Sequence, residues 1–92
     1  MGQRVSATVT IPNRLGLHAR PATSFAQLAQ VHDAEVIVVG PSGDEVDGKS
    51  VMEILMLGAT QGARLYIHAT GADASAAVAA LCRLVEEGFG EE

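Results

Sequence analysis

Between Arg4 and Ile11 the side chains alternate, with Val5, Ala7, Val9 and Ile11 on one side and Arg4, Ser6, Thr8 and Thr10 on the other. A period of two predicts a strand with one covered face. Pro12, Asn13 and Gly16 mark a loop, and the period then changes. Ala22, Phe25, Ala26 and Ala29 recur on one helical face, which predicts a helix from Ala19 to near Val31. Pro21 suits its first turn, where the missing N–H breaks no ladder bond. Glu35 to Val39 is a short β-branched run, Pro41 to Asp44 a turn, and Glu45 to Asp47 a returning strand, so this part reads as a hairpin. Ser50-Val51-Met52-Glu53 matches a capping box, with each side chain expected to serve the other residue's N–H, and opens a short helix ending near Gly58. From Ala63 to Thr70 alternation returns, with Leu65, Ile67 and Ala69 inward and Arg64, Tyr66, His68 and Thr70 outward. Asp73 is expected to cap a last helix carrying Ala77, Val78, Leu81, Leu84 and Val85, closed by Gly88, with Glu91-Glu92 as a frayed tail. The order β-α-β-β-α-β-α implies an α+β fold with helices on one face of an antiparallel sheet. Periodicity leaves the strand order open.

Composition narrows the class. Ninety-two residues make one domain, which at this size buries about 60 % of its unfolded surface. Three aromatic residues among 48 % hydrophobic ones mean that aliphatic side chains must build the core. No apolar run approaches the roughly 20 residues of a membrane span. Met1-Gly2-Gln3-Arg4 lacks the basic and apolar regions of a signal peptide, so the expected place is the cytoplasm. A net charge of −5 argues against nucleic acid as a partner, while Arg14, Arg20 and Lys49 leave room for a local positive patch. The lone Cys82 cannot form an internal disulfide and reads as an inert core thiol. His18, His32 and His68 fall at a helix start, a helix end and an open sheet face, so no shared metal is expected. The ring of His32 reads as a charge suiting the end of its helix. No glycine-rich nucleotide loop is present, and no cofactor is expected.

The chemistry that remains lies at the first helix start. His18 stands where backbone N–H groups have no intrahelical partner and the dipole favours an anion such as phosphate. A neutral imidazole can be a nucleophile, and the planar fork of Arg20 suits phosphoryl oxygens. Ser50 needs no function beyond its cap, worth about 1 kcal/mol. Val51, Met52, Leu55 and Met56 exceed what one face of a short helix can bury, so some should form a contact surface near His18.

Leu15-Gly16-Leu17-His18-Ala19-Arg20-Pro21-Ala22 resembles the active-site motif of HPr, the histidine phosphocarrier of the phosphoenolpyruvate-dependent phosphotransferase system. Gly48-Lys49-Ser50-Val51-Met52-Glu53-Ile54-Leu55-Met56-Leu57-Gly58, with Gln61-Gly62 after it, resembles the same family's second motif, around its regulatory serine. The resemblance implies an open-faced β-sandwich in which three helices cover one face of a four-stranded antiparallel sheet. It also implies a stoichiometric carrier rather than an enzyme, a monomer whose His18 takes phosphate on Nδ1 from enzyme I and passes it to an enzyme IIA component. Arg20 would assist, Ser50 would be phosphorylated by an HPr kinase/phosphorylase, and partners would dock on Leu17, Ala19, Lys49, Val51, Met52, Leu55 and Met56.

A second reading is a regulatory module whose phosphorylation state governs docking, with little or no sugar transport. Gly43-Asp44-Glu45 and the ending Gly88-Phe89-Gly90-Glu91-Glu92 resemble the nitrogen-related branch of the family. Many sugar-system members carry lysines where this chain has Gln27 and Gln30.

Overall fold

The computed structural model describes residues 3–91. The strands are β1 (Gln3–Thr10), β2 (Glu35–Val39), β3 (Glu45–Asp47) and β4 (Arg64–Gly71), and the helices are α1 (Ala19–Gln30), α2 (Val51–Met56) and α3 (Ala74–Glu86). A 3₁₀ turn, Gly88–Gly90, follows α3. The four strands form one antiparallel sheet in the order β1-β4-β2-β3.

Strand β4 is an inner strand that pairs on both edges, with β1 on one side and β2 on the other. Val9, Ala7 and Val5 of β1 sit opposite Leu65, Ile67 and Ala69, and Val38 and Val36 of β2 meet Ile67 and Ala69 from the other side. These rows share one face of the pleat. They meet the apolar faces of α1 and α3, where Phe25, Ala26, Ala77, Leu81 and Val85 are buried. Burial of each large side chain contributes about 1.5–3 kcal/mol. On the other face, Ser6, His68 and Ile37 form a row, with a 2.7 Å hydrogen bond between the Ser6 hydroxyl and His68 Nδ1. That face carries no helix, as the outward positions of β4 predict.

Two helix caps differ from expectation. Ser50 Oγ accepts from the Glu53 N–H at 3.2 Å, but the Glu53 carboxylate does not return to Ser50. The turn leading into α2 already satisfies the Ser50 N–H with the Asp47 carbonyl, so Glu53 accepts from the Asp47 N–H instead, at 2.9 Å. Asp73 stands at the start of α3 without capping it through its side chain. Its carboxylate is taken by His32 Nδ1, 2.6 Å away across the sheet-to-helix corner. His32 thus ends α1 as a side-chain partner of Asp73 as well as a group at the helix terminus. Cys82 is partly buried; burial, followed by the nearby Glu86 charge, pushes its thiol up, away from the reactive thiolate.

Candidate functional site

The loop after β1 is built to present one side chain. Ile11 is buried and exchanges backbone hydrogen bonds with Ala63 and Gly62, which fixes the end of the strand. Asn13, only 2 % exposed, donates from Nδ2 to the Gly16 carbonyl at 2.8 Å, tightening the turn. Gly16 has φ +68°, the left-handed region open to glycine, and this reversal sends Leu17 into the core. The Leu17 N–H donates to the Ala59 carbonyl at 3.0 Å. His18, next in line, is the N-cap of α1, with extended backbone angles and its carbonyl accepting from Ala22 N–H at 3.0 Å.

The His18 side chain does not cap the helix. Its Nε2 meets the Glu91 carboxylate instead, at 2.9 and 3.1 Å to the two oxygens. A carboxylate only accepts, so Nε2 carries the hydrogen, and in the neutral ring the lone pair is on Nδ1. Glu91 Oε1 also accepts from Asn13 Nδ2 at 2.9 Å. The hydrogen bond from His18 lowers the Glu91 carboxyl below its ordinary range, aided by Asn13 and the charges of His18 and Arg20 against the opposing effect of burial. Beside the ring, the first N–H groups of α1, those of Ala19 and Arg20, have no intrahelical acceptor. No acidic residue lies in that first turn, so the positive end of the helix dipole is not offset there. Arg20 is exposed, and none of the ion pairs among the described residues involves it.

Glu91 is therefore no frayed tail; Glu92 lies outside the described residues. The segment after α3 is held because Gly88 (φ +67°) and Phe89 (φ +59°) both turn left-handed, with the Phe89 ring buried. A left-handed non-glycine residue costs about 1–3 kcal/mol, which burial of the ring offsets. The sequence did carry a signal for this contact: a phenylalanine between two glycines, in an otherwise polar ending, needs a place to be buried.

The docking residues divide. Leu17 is 6 % exposed and packed in the core, so it is corrected from a partner contact to an anchor of the loop. Ala19 is exposed, Val51 and Leu55 are half-buried, and Met52 and Met56 are 71 % and 76 % exposed. Leu15, unassigned from the sequence, is also exposed at the loop tip. Lys49 is half-buried, and its ammonium donates to the His32 carbonyl at 3.0 Å, so it does not join Arg20 in one patch. Gln30 Nε2 donates to the Lys49 carbonyl, which sets Ser50 beside the far end of α1 from His18. The other end of α2 leads to Ala59, directly beneath Gly16 and Leu17.

A concavity of ≈ 210 Å³ lies elsewhere, on the open sheet face among Arg4, Glu35, Ile37, Glu45, His68 and Thr70. His18 sits on an open shoulder with 36 % of its side chain exposed, so its ring is accessible from outside. Among the described residues, no cluster of three or more His, Cys, Asp or Glu could hold a metal ion, and no helix is long and apolar enough to cross a membrane.

Comparison with known proteins gives the family. The family model described as PTS HPr component phosphorylation site matches residues 5–87. Phosphocarrier protein NPr of Escherichia coli (strain K12) is 41 % identical over 88 residues, covering 96 % of this chain and 98 % of that protein. Phosphocarrier protein HPr of Pseudomonas aeruginosa is 40 % identical over 83 residues, covering 90 % and 92 %. The crystal structure of HPr from Thermoanaerobacter tengcongensis superposes with a TM-score of 0.90 at 40 % identity, covering 96 % of this chain and 98 % of that one. The chain belongs to the PTS HPr family of phosphocarrier proteins.

Proposed function

We propose that His18 accepts a phosphoryl group on Nδ1 from the phosphohistidine of enzyme I and hands it to an enzyme IIA-type acceptor. The observation that carries this reading is the placement of the ring: Nε2 is engaged by Glu91, and the remaining nitrogen stands at a helix start with unpartnered N–H groups. In the transfer, the Nδ1 lone pair forms the bond to phosphorus while the donor's N–P bond breaks and its electron pair stays on the donor ring. Little covalent work falls to the protein; positioning and charge stabilisation carry the rate. The N–H groups of Ala19 and Arg20, with the Arg20 guanidinium, serve the phosphoryl oxygens. The ring is regenerated only when an acceptor takes the group, so the chain is a stoichiometric carrier and not an enzyme. The partners dock on Ala19 and the exposed faces of Met52 and Met56, flanked by Leu15, Val51 and Leu55. Ser50 is a separate phosphorylation site acting on that surface.

The acceptor is favoured to be a nitrogen-related component with a regulatory role rather than a sugar permease. The similarity to phosphocarrier protein NPr supports this, as do Gln27 and Gln30, exposed on α1 where lysines would suit an acidic partner. Incubation with enzyme I and labelled phosphoenolpyruvate tests the central assignment. The label should be acid-labile and base-stable, absent from His18→Ala, and retained when His32 and His68 are replaced; label on His18→Ala overturns it. Enzyme IIA proteins of the sugar and nitrogen classes, offered in parallel, show which one drains the label.

A further inference from the structure

We propose that Glu91 is a positioning residue for phosphoryl transfer, holding the hydrogen on His18 Nε2 and balancing the positive charge the ring acquires as Nδ1 bonds to phosphorus. The inference rests on the assignment of His18 as the acceptor and goes beyond it by giving the segment after α3 a part in the chemistry. The contact is two-pronged, with Nε2 at 2.9 and 3.1 Å from the two carboxylate oxygens, so the plane and the rotation of the ring are both constrained. The carboxylate is in turn oriented by Asn13 Nδ2 at 2.9 Å, and Asn13 is itself buried and tied to the Gly16 carbonyl. Ring, carboxylate and amide thus form a chain in which each member fixes the next, as in other sites where a carboxylate orients a reactive imidazole.

The electron count shows why the carboxylate matters. The form of the ring that can react is the neutral one, with its hydrogen on Nε2 and a lone pair on Nδ1. When that pair forms the N–P bond, the ring keeps the Nε2 hydrogen and becomes a cation, while the electrons of the broken donor N–P bond return to the donor nitrogen. Without an anion beside Nε2, that cation would develop next to the positive end of the α1 dipole, where it is disfavoured. Glu91 supplies the compensating charge on the side away from the incoming group. Arg20, whose charge also favours the Glu91 carboxylate, is exposed at the same helix start, where its guanidinium can meet the phosphoryl oxygens. Phe89 makes the arrangement persist, since its buried ring holds residues 87–91 against the body of the protein.

The test uses the full chain labelled with ¹⁵N-histidine, in wild type, Glu91→Ala and Glu91→Gln. The ring nitrogens are observed by NMR at a pH where the imidazole is neutral, and single-turnover transfer from phosphorylated enzyme I is measured alongside. Wild type should show a pyrrole-like Nε2 and a pyridine-like Nδ1. Glu91→Ala should bring the two shifts toward each other and slow transfer by about tenfold or more. Glu91→Gln keeps an acceptor oxygen but no charge, so it should restore the shifts while recovering only part of the rate. Melting curves of all three report whether the body of the fold is intact, which a purely structural role for the tail would affect first. Unchanged transfer in Glu91→Ala overturns the proposal, as does a rate loss with unaltered ring shifts. If wild type itself takes no label, the assignment of His18 is what fails, and the ring shifts still decide whether Glu91 fixes the hydrogen.

Discussion

Gly16 lies so close to Ala59 that a Cβ built on it would come within 2.5 Å of the Ala59 carbonyl oxygen. The same oxygen accepts the Leu17 N–H at 3.0 Å, so the loop before His18 is seated directly on the segment after α2. Two constraints meet at this glycine: a left-handed backbone and a contact with no room for a side chain. Gly16→Ala should therefore cost at least about 1 kcal/mol of stability. Because His18 is only two residues further on, phosphoryl acceptance should fall as well. Urea unfolding and a transfer assay on the same preparation check both effects.

Arg20 separates function from stability in the opposite sense. It is exposed and outside the ion pairs among the described residues, so Arg20→Ala should change stability by less than about 0.5 kcal/mol. Transfer from enzyme I should nevertheless slow, and Arg20→Lys should recover only part, since an ammonium lacks the planar fork. Equal rates for all three proteins would remove Arg20 from the site.

Ser50 combines a cap with a proposed switch. Ser50→Ala should lose about 1 kcal/mol through the bond to the Glu53 N–H, yet still accept phosphate on His18. Ser50→Asp keeps a capping oxygen and puts a charge next to Val51 and Met52, so melting should stay near native while docking to enzyme I weakens. Thermal melting and enzyme I-dependent labelling of both variants provide the measurement. Wild-type labelling rates in Ser50→Asp would leave the serine as a cap alone.

The Glu91 contact is expected to fail in acid. The carboxyl is lowered in the folded protein, so its contribution is present above the ordinary value of 4.5 and is lost as pH falls through the lowered one. Amide signals of Phe89 and Gly90 should therefore shift in a transition centred below 4.5, and Glu91→Gln should abolish that transition. A midpoint above 4.5, or the same transition in the glutamine variant, would contradict the pairing with His18.

What could be read in the chain follows from the range of the interaction that fixes each part. Strands β1 and β4 alternate because one face of the sheet is covered by helices, so every residue repeats the same message. Leu17, an apolar side chain beside the histidine, resembles a contact residue in the sequence although it is buried. Only the left-handed turn at Gly16 reveals that it points inward. The expected caps at Glu53 and Asp73 have the right residue types at the right spacing. Their carboxylates went elsewhere because a turn and a distant histidine offered competing donors, and no local pattern encodes that competition. Glu91 is the extreme case: it meets residues 73 and 78 positions earlier, beyond any periodicity.

That separation in sequence is a short step in space. The ring of His18 has its carboxylate partner only while residues 87–91 lie back over the loop that follows the first strand, with Phe89 in the core. Because α3 packs against β1, the free span that brings Glu91 to His18 is only residues 87–91, and its closure costs little beyond ordering those residues. The contact can therefore open locally, and take the carboxylate away from the ring, while the sheet and helices stay folded.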